Sequence, residues 1–187
     1  AELLEEELRA TPSTRKEAVQ LLQAISREVD RLNGVAEEYL RFAKPPRLEA
    51  ARQDLAEILG TLLDSLAPEL AAARIEVRRE IAPGLPPVRG DSGQLRALFL
   101  NLLRNSREAM PGGGTVTVRI RRTDSAVEVE VGDTGGGIPP GDRTRIFEAF
   151  YSTKERGTGL GLAFAQQVVK EHGGTILCES EVGRGTT

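Results

Sequence analysis

The stretch Gly112-Gly113-Gly114-Thr115-Val116-Thr117-Val118-Arg119-Ile120 runs on through Thr123-Asp124-Ser125 to Val127-Glu128-Val129-Glu130-Val131-Gly132-Asp133, and it decides the fold class. Val116, Val118 and Ile120 alternate with polar residues. Val127, Val129 and Val131 alternate back. Period-two alternation on both sides of a turn predicts a β-hairpin with one buried and one polar face. The second strand ends on Asp133, and Thr134-Gly135-Gly136-Gly137-Ile138-Pro139 follows at once.

Working outward, helical patterns flank the hairpin. Asp91 reads as an N-cap for a helix carrying Leu95, Leu98, Phe99, Leu102 and Leu103 on one face. Upstream, Asp54 with Glu57 caps a helix with Leu55, Ile58, Leu59, Leu62, Leu63 and Leu66. Between these helices, Ile75, Val77 and Ile81 read as a strand, and Pro83-Gly84-Leu85-Pro86-Pro87 as a loop. A short extended piece is expected at 48–51. Downstream, helix is expected near 143–148 and over 160–171, with a last strand over 175–180. Helices on one face of a mixed, mostly antiparallel sheet make an α+β sandwich.

The N-terminal region differs. Its first 43 residues hold one glycine, Gly34, and many charges. Thr14 followed by Glu17 reads as a capping box. Leu22, Ile25, Val29, Leu32, Ala36, Tyr39 and Ala43 follow at alternating spacings of three and four, a heptad seam. Leu21, Val35 and Phe42 widen it. Residues 1–9, with Leu4 and Leu8 one turn apart, read as the tail of an earlier helix. Such a hairpin cannot bury its wide apolar face alone, and two copies would make a four-helix bundle. Lys44-Pro45-Pro46 ends the helix, because each proline removes an amide and restricts the residue before it. The expected domains are therefore 1–46 and 47–187.

Composition narrows the function. The chain has 187 residues, with 25 Lys plus Arg against 28 Asp plus Glu, a net charge of −3. No basic excess argues for nucleic acid. One cysteine and one histidine, Cys178 and His172, rule out an internal disulfide and a Cys/His zinc site. The longest run without Asp, Glu, Lys or Arg, Gly157–Val169, is 13 residues. That is shorter than the ~20 apolar residues a spanning helix needs. The stretch reads as cytoplasmic and makes no membrane contact itself, while an anchor elsewhere in a full-length protein stays open.

The glycines mark where chemistry is expected. Gly157-Thr158-Gly159-Leu160-Gly161 opens a helix, where bare amides and the dipole suit a phosphate. Alone, such a run is a weak signal, and ordinary turns explain Gly112–Gly114. Asn101 and Asn105, four apart, lie on one helix face. They are either a solvated polar stripe or oxygens for a hard cation such as Mg²⁺.

Taken in order, the set is far more specific than its parts. Asn101-Leu102-Leu103-Arg104-Asn105, Asp133-x-Gly135-x-Gly137, Phe147-Glu148-Ala149-Phe150, Gly157-x-Gly159-x-Gly161 and Gly183-Arg184-Gly185-Thr186 resemble the N, G1, F, G2 and G3 boxes of the sensor histidine kinases of two-component systems. The resemblance covers about 47–187, the catalytic ATP-binding domain. The heptad helix is similar to the second helix of that family's dimerisation and phosphotransfer domain. Tyr151-Ser152-Thr153-Lys154, with Gly157 so soon after, resembles the short-lid subgroup that includes nitrogen-regulation sensor kinases.

The resemblance implies a Bergerat-type sandwich with ATP between the helices and a mobile lid. It implies that Asp133 accepts from the adenine amino group, while Gly135, Gly137 and Ile138 bring backbone near base and ribose. Asn105, helped by Asn101, would hold Mg²⁺ across the phosphates. Gly157, Thr158, Gly159, Leu160 and Gly161 would line the triphosphate and hinge the lid. Lys154 is a candidate γ-phosphate cation, or a solvated lysine. Phe147 and Phe150 would anchor the lid. Arg104, Arg107 and Glu108 read as solvated helix charges. The implied partners are a second copy through the N-terminal helices and the receiver domain of a response regulator.

Two departures matter. The family's phosphoacceptor His lies in the first dimerisation helix, and no His precedes His172. His172, at a helix end before Gly173-Gly174, reads as a C-terminal cap instead. The γ-phosphoryl would therefore go to a His outside this chain. The sequence also stops just after Gly185-Thr186, where a last strand would normally continue. The alternatives are an ATPase or serine kinase of the same fold, a degenerate nucleotide-binding dimer, and, weakest, a purely structural helical protein. The ATPases and serine kinases resemble one another in placing a Glu where Asn101 stands, and an amide has no basic lone pair for activating water.

Overall fold

Burial follows the leucine spacing closely. The computed structural model describes residues 12–43, 47–154 and 157–187; within 12–43, the side chains of 12–17, 30, 31, 37, 38, 41 and 42 are outside the description. The chain divides into two units, Ala1–Pro45 and Pro46–Thr187.

The first unit contains one described helix, α1 (Pro12–Ala43). It starts two residues ahead of the expected cap at Thr14. Pro12 is tolerated there because its missing amide would be unpaired in a first turn anyway. The Thr14 and Glu17 side chains, and the tail expected over 1–9, lie outside the described residues. Within the unit the heptad face is uncovered. Leu22, Ile25, Val29 and Leu32 are 49–54% exposed.

In the second unit, strand β1 (Ala51–Gln53) leads into helix α2 (Leu55–Ala72). Asp54 caps α2 by accepting from the amides of Ala56 and Glu57. Leu59, Leu62, Leu63 and Leu70 are at most 2% exposed. Full burial of each stabilises by about 1.5–3 kcal/mol. That apolar face carries the helix through Pro68, which removes one amide from its interior. Arg74 then turns left-handed, with φ of 57°, and strand β2 (Ile75–Ile81) begins.

Strand β3 (Val88–Gly90) pairs antiparallel with β1. It had no counterpart among the expected elements, since three residues are too short to show a period. The extended piece expected at 48–51 is in fact β1, shifted to 51–53. Helix α3 (Ser92–Glu108) follows, capped by Asp91 onto the Gln94 amide at 2.9 Å. The hairpin is β4 (Gly114–Arg122) and β5 (Val127–Asp133). Val116, Val118 and Ile120 are fully buried, whereas every residue of β5 is half-buried. The clean two-faced pattern therefore holds for β4 only.

The main sheet runs β2-β4-β5-β7-β6, where β6 is Ser180–Glu181 and β7 is Gly185–Thr186. β2 lies parallel to β4, and the other neighbours are antiparallel. Helix α4 (Gly161–Glu171) packs on α3, and α2 and α3 pack against each other and the sheet. On its polar side the sheet carries an ion-pair ladder through Glu80, Arg119, Glu130, Arg121 and Glu128. Opposite charges facing across strands add modest stability.

Two expected elements are corrected. Residues 143–148 form consecutive turns, not a helix. Asp142 receives the amides of both Arg145 and Ile146, and Glu148 donates to Arg145. Three such bonds after Pro139-Pro140 are too few to nucleate a helix. The strand expected over 175–180 is paired only at its end. Ser180 lies opposite Thr186, and Glu179 and Thr187 exchange both backbone bonds.

Candidate active site

One helix end gathers the site. Asn101, Asn105, Ser106, Glu108 and the following Ala109 all face different parts of it. Position 161 shows how close the amide pair comes to α4. A Cβ built there would lie 3.8 Å from the Asn101 side chain and 3.9 Å from Asn105 Nδ2. The two amides therefore sit at the first residue of α4. That N-terminus has Leu160 as its cap and no side-chain cap bond. Leu160 offers the leading amides no side-chain oxygen of its own, the arrangement that favours an anion. The Leu160 side chain is only 2% exposed, so that residue can meet a ligand through its backbone alone. Thr158 Oγ1 accepts from the Leu160 amide at 3.3 Å.

The lid segment closes on itself ahead of α4. The Phe150 amide donates to the Gly159 carbonyl at 3.0 Å. A Cβ on Gly159, at φ +68°, would lie 2.4 Å from the Phe150 backbone, so only glycine fits. Gly157 likewise abuts Ser152. The lid's anchor differs from the expected aromatic one. Phe150 is 65% exposed, with φ of 68°. Its backbone holds the loop, aided by Tyr151, whose hydroxyl donates to Asp142 at 2.6 Å and whose ring lies under Arg145.

Lys154 comes back from this loop onto α3. Its ammonium donates to Asn105 Oδ1 at 3.1 Å and to Glu108 Oε2. Glu108 is thus a solvated helix charge, as expected, but a paired one. Arg107 also has a partner, Glu69, at 2.9 Å.

Asp133 stands at the end of β5. Burial pushes its carboxyl above the ordinary value. Hydrogen bonds from the Gly135 amide, the Ser106 hydroxyl and the Thr186 amide pull the other way, as does the Lys154 charge. The Gly135 bond measures 2.9 Å. Ser106 is 4% exposed and was not foreseen. Its signal was its position, next to Asn105 and one turn before the helix end.

The glycines of the 135–137 turn have a reason inside the chain. A Cβ on Gly135 would lie 2.7 Å from Ala109, and one on Gly137 would lie 2.2 Å from the Glu181 carbonyl. The Ile138 amide donates to Ser180 Oγ at 2.7 Å, so it is already satisfied. Gly185, at φ +114°, passes against the Asp133 carbonyl. The 183–186 turn therefore serves to clamp Asp133 and its glycine turn. Below Asp133 a cavity of 420 Å³ is lined by Arg143, Cys178, Ser180, Arg184 and Thr186. The amide pair and Lys154 do not border it, so it is separate from the helix-terminus cluster. Burial raises the Cys178 thiol there.

His172 is engaged on both sides. Nδ1 donates to the Val168 carbonyl at 2.7 Å, and Nε2 accepts from the Asp91 amide at 2.9 Å. It caps α4, as expected, and it also ties the end of α4 to the start of α3.

Among the described residues no three His, Cys, Asp or Glu side chains cluster as a metal site. None of the described helices is long and apolar enough to cross a membrane.

Comparison with known proteins gives a consistent result. Residues 90–187 match the family described as histidine kinase-, DNA gyrase B-, and HSP90-like ATPase. Sporulation kinase E of Bacillus subtilis (strain 168) is 34% identical over 163 residues, 87% of this chain and 22% of that protein. Sensor histidine kinase ZraS of Klebsiella oxytoca is 38% identical over 170 residues, 90% of this chain and 37% of that protein. The structure of full-length ShkA in complex with AMPPNP matches with a TM-score of 0.81 at 29% identity, over 95% of this chain and 38% of that one. The chain thus spans well under half the length of these relatives.

Proposed function

This chain belongs to the histidine kinase-, DNA gyrase B-, and HSP90-like ATPase family as the ATP-binding catalytic domain of a sensor histidine kinase, and from that premise we propose that it transfers the γ-phosphoryl group of ATP to a histidine outside residues 1–187. The observation that carries the reading is the convergence on α3. Asn101 and Asn105 meet the open end of α4, Lys154 meets Asn105, and Gly135, whose amide holds Asp133, abuts Ala109 at the end of α3.

In this reading Asp133 accepts from the adenine amino group. Guanine presents a carbonyl oxygen at that edge, so a carboxylate rejects it. The Gly135 amide holds the carboxylate in place. Asn105 Oδ1, with Asn101 beside it, fits Mg²⁺: it already accepts from an ammonium, and each amide offers one oxygen, the ligand atom a hard cation prefers. When bound, Mg²⁺ would neutralise charge developing on the phosphates. The amides at Gly159–Gly161 take phosphate oxygens, and Lys154 takes the terminal one. A histidine nitrogen then attacks the γ-phosphorus and ADP leaves with the bridging oxygen, a transfer that depends on positioning and charge stabilisation. His172 is not that histidine, because both its ring nitrogens are engaged. The acceptor would pass the group to an aspartate of a response regulator. The uncovered face of α1 would pair with a second copy.

Incubation with Mg²⁺ and ATP labelled on the γ-phosphate tests this. Binding without labelled protein or free phosphate, and labelling of an added phosphoacceptor helix, is the expected outcome. Steady phosphate release would favour the ATPase reading. Asp133→Asn should weaken ATP about 10- to 150-fold in calorimetry, the range for a hydrogen bond to a charged group. Unchanged affinity would remove Asp133 from the adenine site.

A further inference from the structure

Lys154 makes its two polar contacts on one face of α3, where Asn105 and Glu108 stand three residues apart. Glu108 had no role in the reading above. Its carboxylate fixes the lysine ammonium, and the ammonium in turn occupies Asn105 Oδ1 at 3.1 Å. That is the oxygen assigned above to Mg²⁺. A divalent cation and an ammonium on one amide oxygen repel each other strongly at such range. Metal cannot settle on Asn105 until Lys154 has moved.

We propose that Glu108 is a positioning residue that parks the Lys154 ammonium on Asn105, so that metal loading and release of that ammonium are one event. The inference rests on the nucleotide reading above. Neither contact involves the Phe150–Gly159 backbone bond, so the ammonium can leave both without breaking it. The exchange is balanced in charge: the ammonium leaves a carboxylate and gains a phosphate oxygen, another charge-assisted bond. The latch is also weak enough to open. Lys154 and Glu108 are 42% and 47% exposed, and exposed pairs of this kind shift an equilibrium only about two- to fivefold.

The test is calorimetric titration of the full chain with Mg²⁺–ADP and with ADP plus chelator. ADP is chosen because it lacks the phosphate that Lys154 is assigned to hold. Glu108→Gln should tighten Mg²⁺–ADP about two- to fivefold and leave metal-free ADP unchanged. In a Lys154→Met background, Glu108→Gln should have no further effect. Equal gains with and without metal, or the same gain in the Lys154→Met background, would mean that Glu108 acts as a bare charge and would overturn the latch. So would no gain at all. A wild-type chain that binds ADP with no response to Glu108→Gln loses the latch and keeps the proposed function. A chain that binds no ADP loses both.

Discussion

Helices α1 and α3 carry similar apolar spacings and meet opposite fates. On α3, Leu95, Leu98, Phe99 and Leu103 are at most 7% exposed, covered by α2, α4 and the sheet. On α1, Leu22, Ile25, Val29 and Leu32 stay about half exposed within their unit. A period of 3.6 or 3.5 states that a helix has an apolar face. It does not state what covers that face. On α3 the cover comes from other elements of the same chain, α2, α4 and the sheet. For α1 the proposed cover is another copy.

The comparison can be pressed at three points. The largest effect belongs to the covered face: Leu103→Ala should lower unfolding stability by about 2–5 kcal/mol in denaturant titration, from lost burial and the cavity left behind. A loss below ~0.5 kcal/mol would mean that α3 is not the core helix described above.

A middle effect tests how α3 is started. Asp91→Ala should cost about 0.5–2 kcal/mol. The Gln94 amide is the main cause holding the Asp91 carboxyl below its ordinary value. A carboxyl with a lowered folded pKa contributes stability above the unfolded value and loses it as pH falls through the folded one. Wild type should therefore lose stability on acidification below about pH 4, near the ordinary Asp value, and Asp91→Ala should lose less. Asp133 has the opposite sign, since burial raises it. Its ionised form opposes folding, so its penalty fades as pH falls. Thermal melts of both proteins across pH 3–6 separate the two, and parallel curves would exclude the Asp91 cap as the acid-sensitive group.

The smallest stability effect belongs to the uncovered face. Ile25→Ala should change the unfolding of 46–187 by no more than ~0.5 kcal/mol, yet weaken self-association in sedimentation. Unchanged association would show that this face pairs with nothing through Ile25.

What was legible tracks how local the cause is. Asp54 and Asp91 were readable as caps because a cap is decided within three residues. β4 was readable because its one face is wholly buried. β5 ran less true, since both of its faces are partly covered and alternation alone cannot show that. The turns at 142–148 resembled a helix in pattern but lack the length to nucleate one. β3 was too short to have a period. In the proposed site, Asp133, Asn105 and the glycines were singled out by their order along the chain. Ser106 and Glu108 were not, because each matters through a partner 27 or 46 residues away. Phe150 was misread for a related reason: its backbone, not its ring, ties the lid.

The sequence by itself determined the elements with local causes, the two-part organisation and the set of boxes that mark an ATP-binding domain. Periodicity, caps and glycine turns depend on neighbours within a few residues, and those are written in order. Only the tertiary structure decided that Gly135, Gly137 and Gly185 are required by the chain's own backbone. It alone set His172 between α3 and α4, and Lys154 on Asn105 and Glu108. Each of these is a contact between distant segments, made when the packing of α4 on α3, and of α2 and α3 on each other and the sheet, brings them within hydrogen-bonding range. That driving force is non-directional, so it does not name in advance which polar groups will meet.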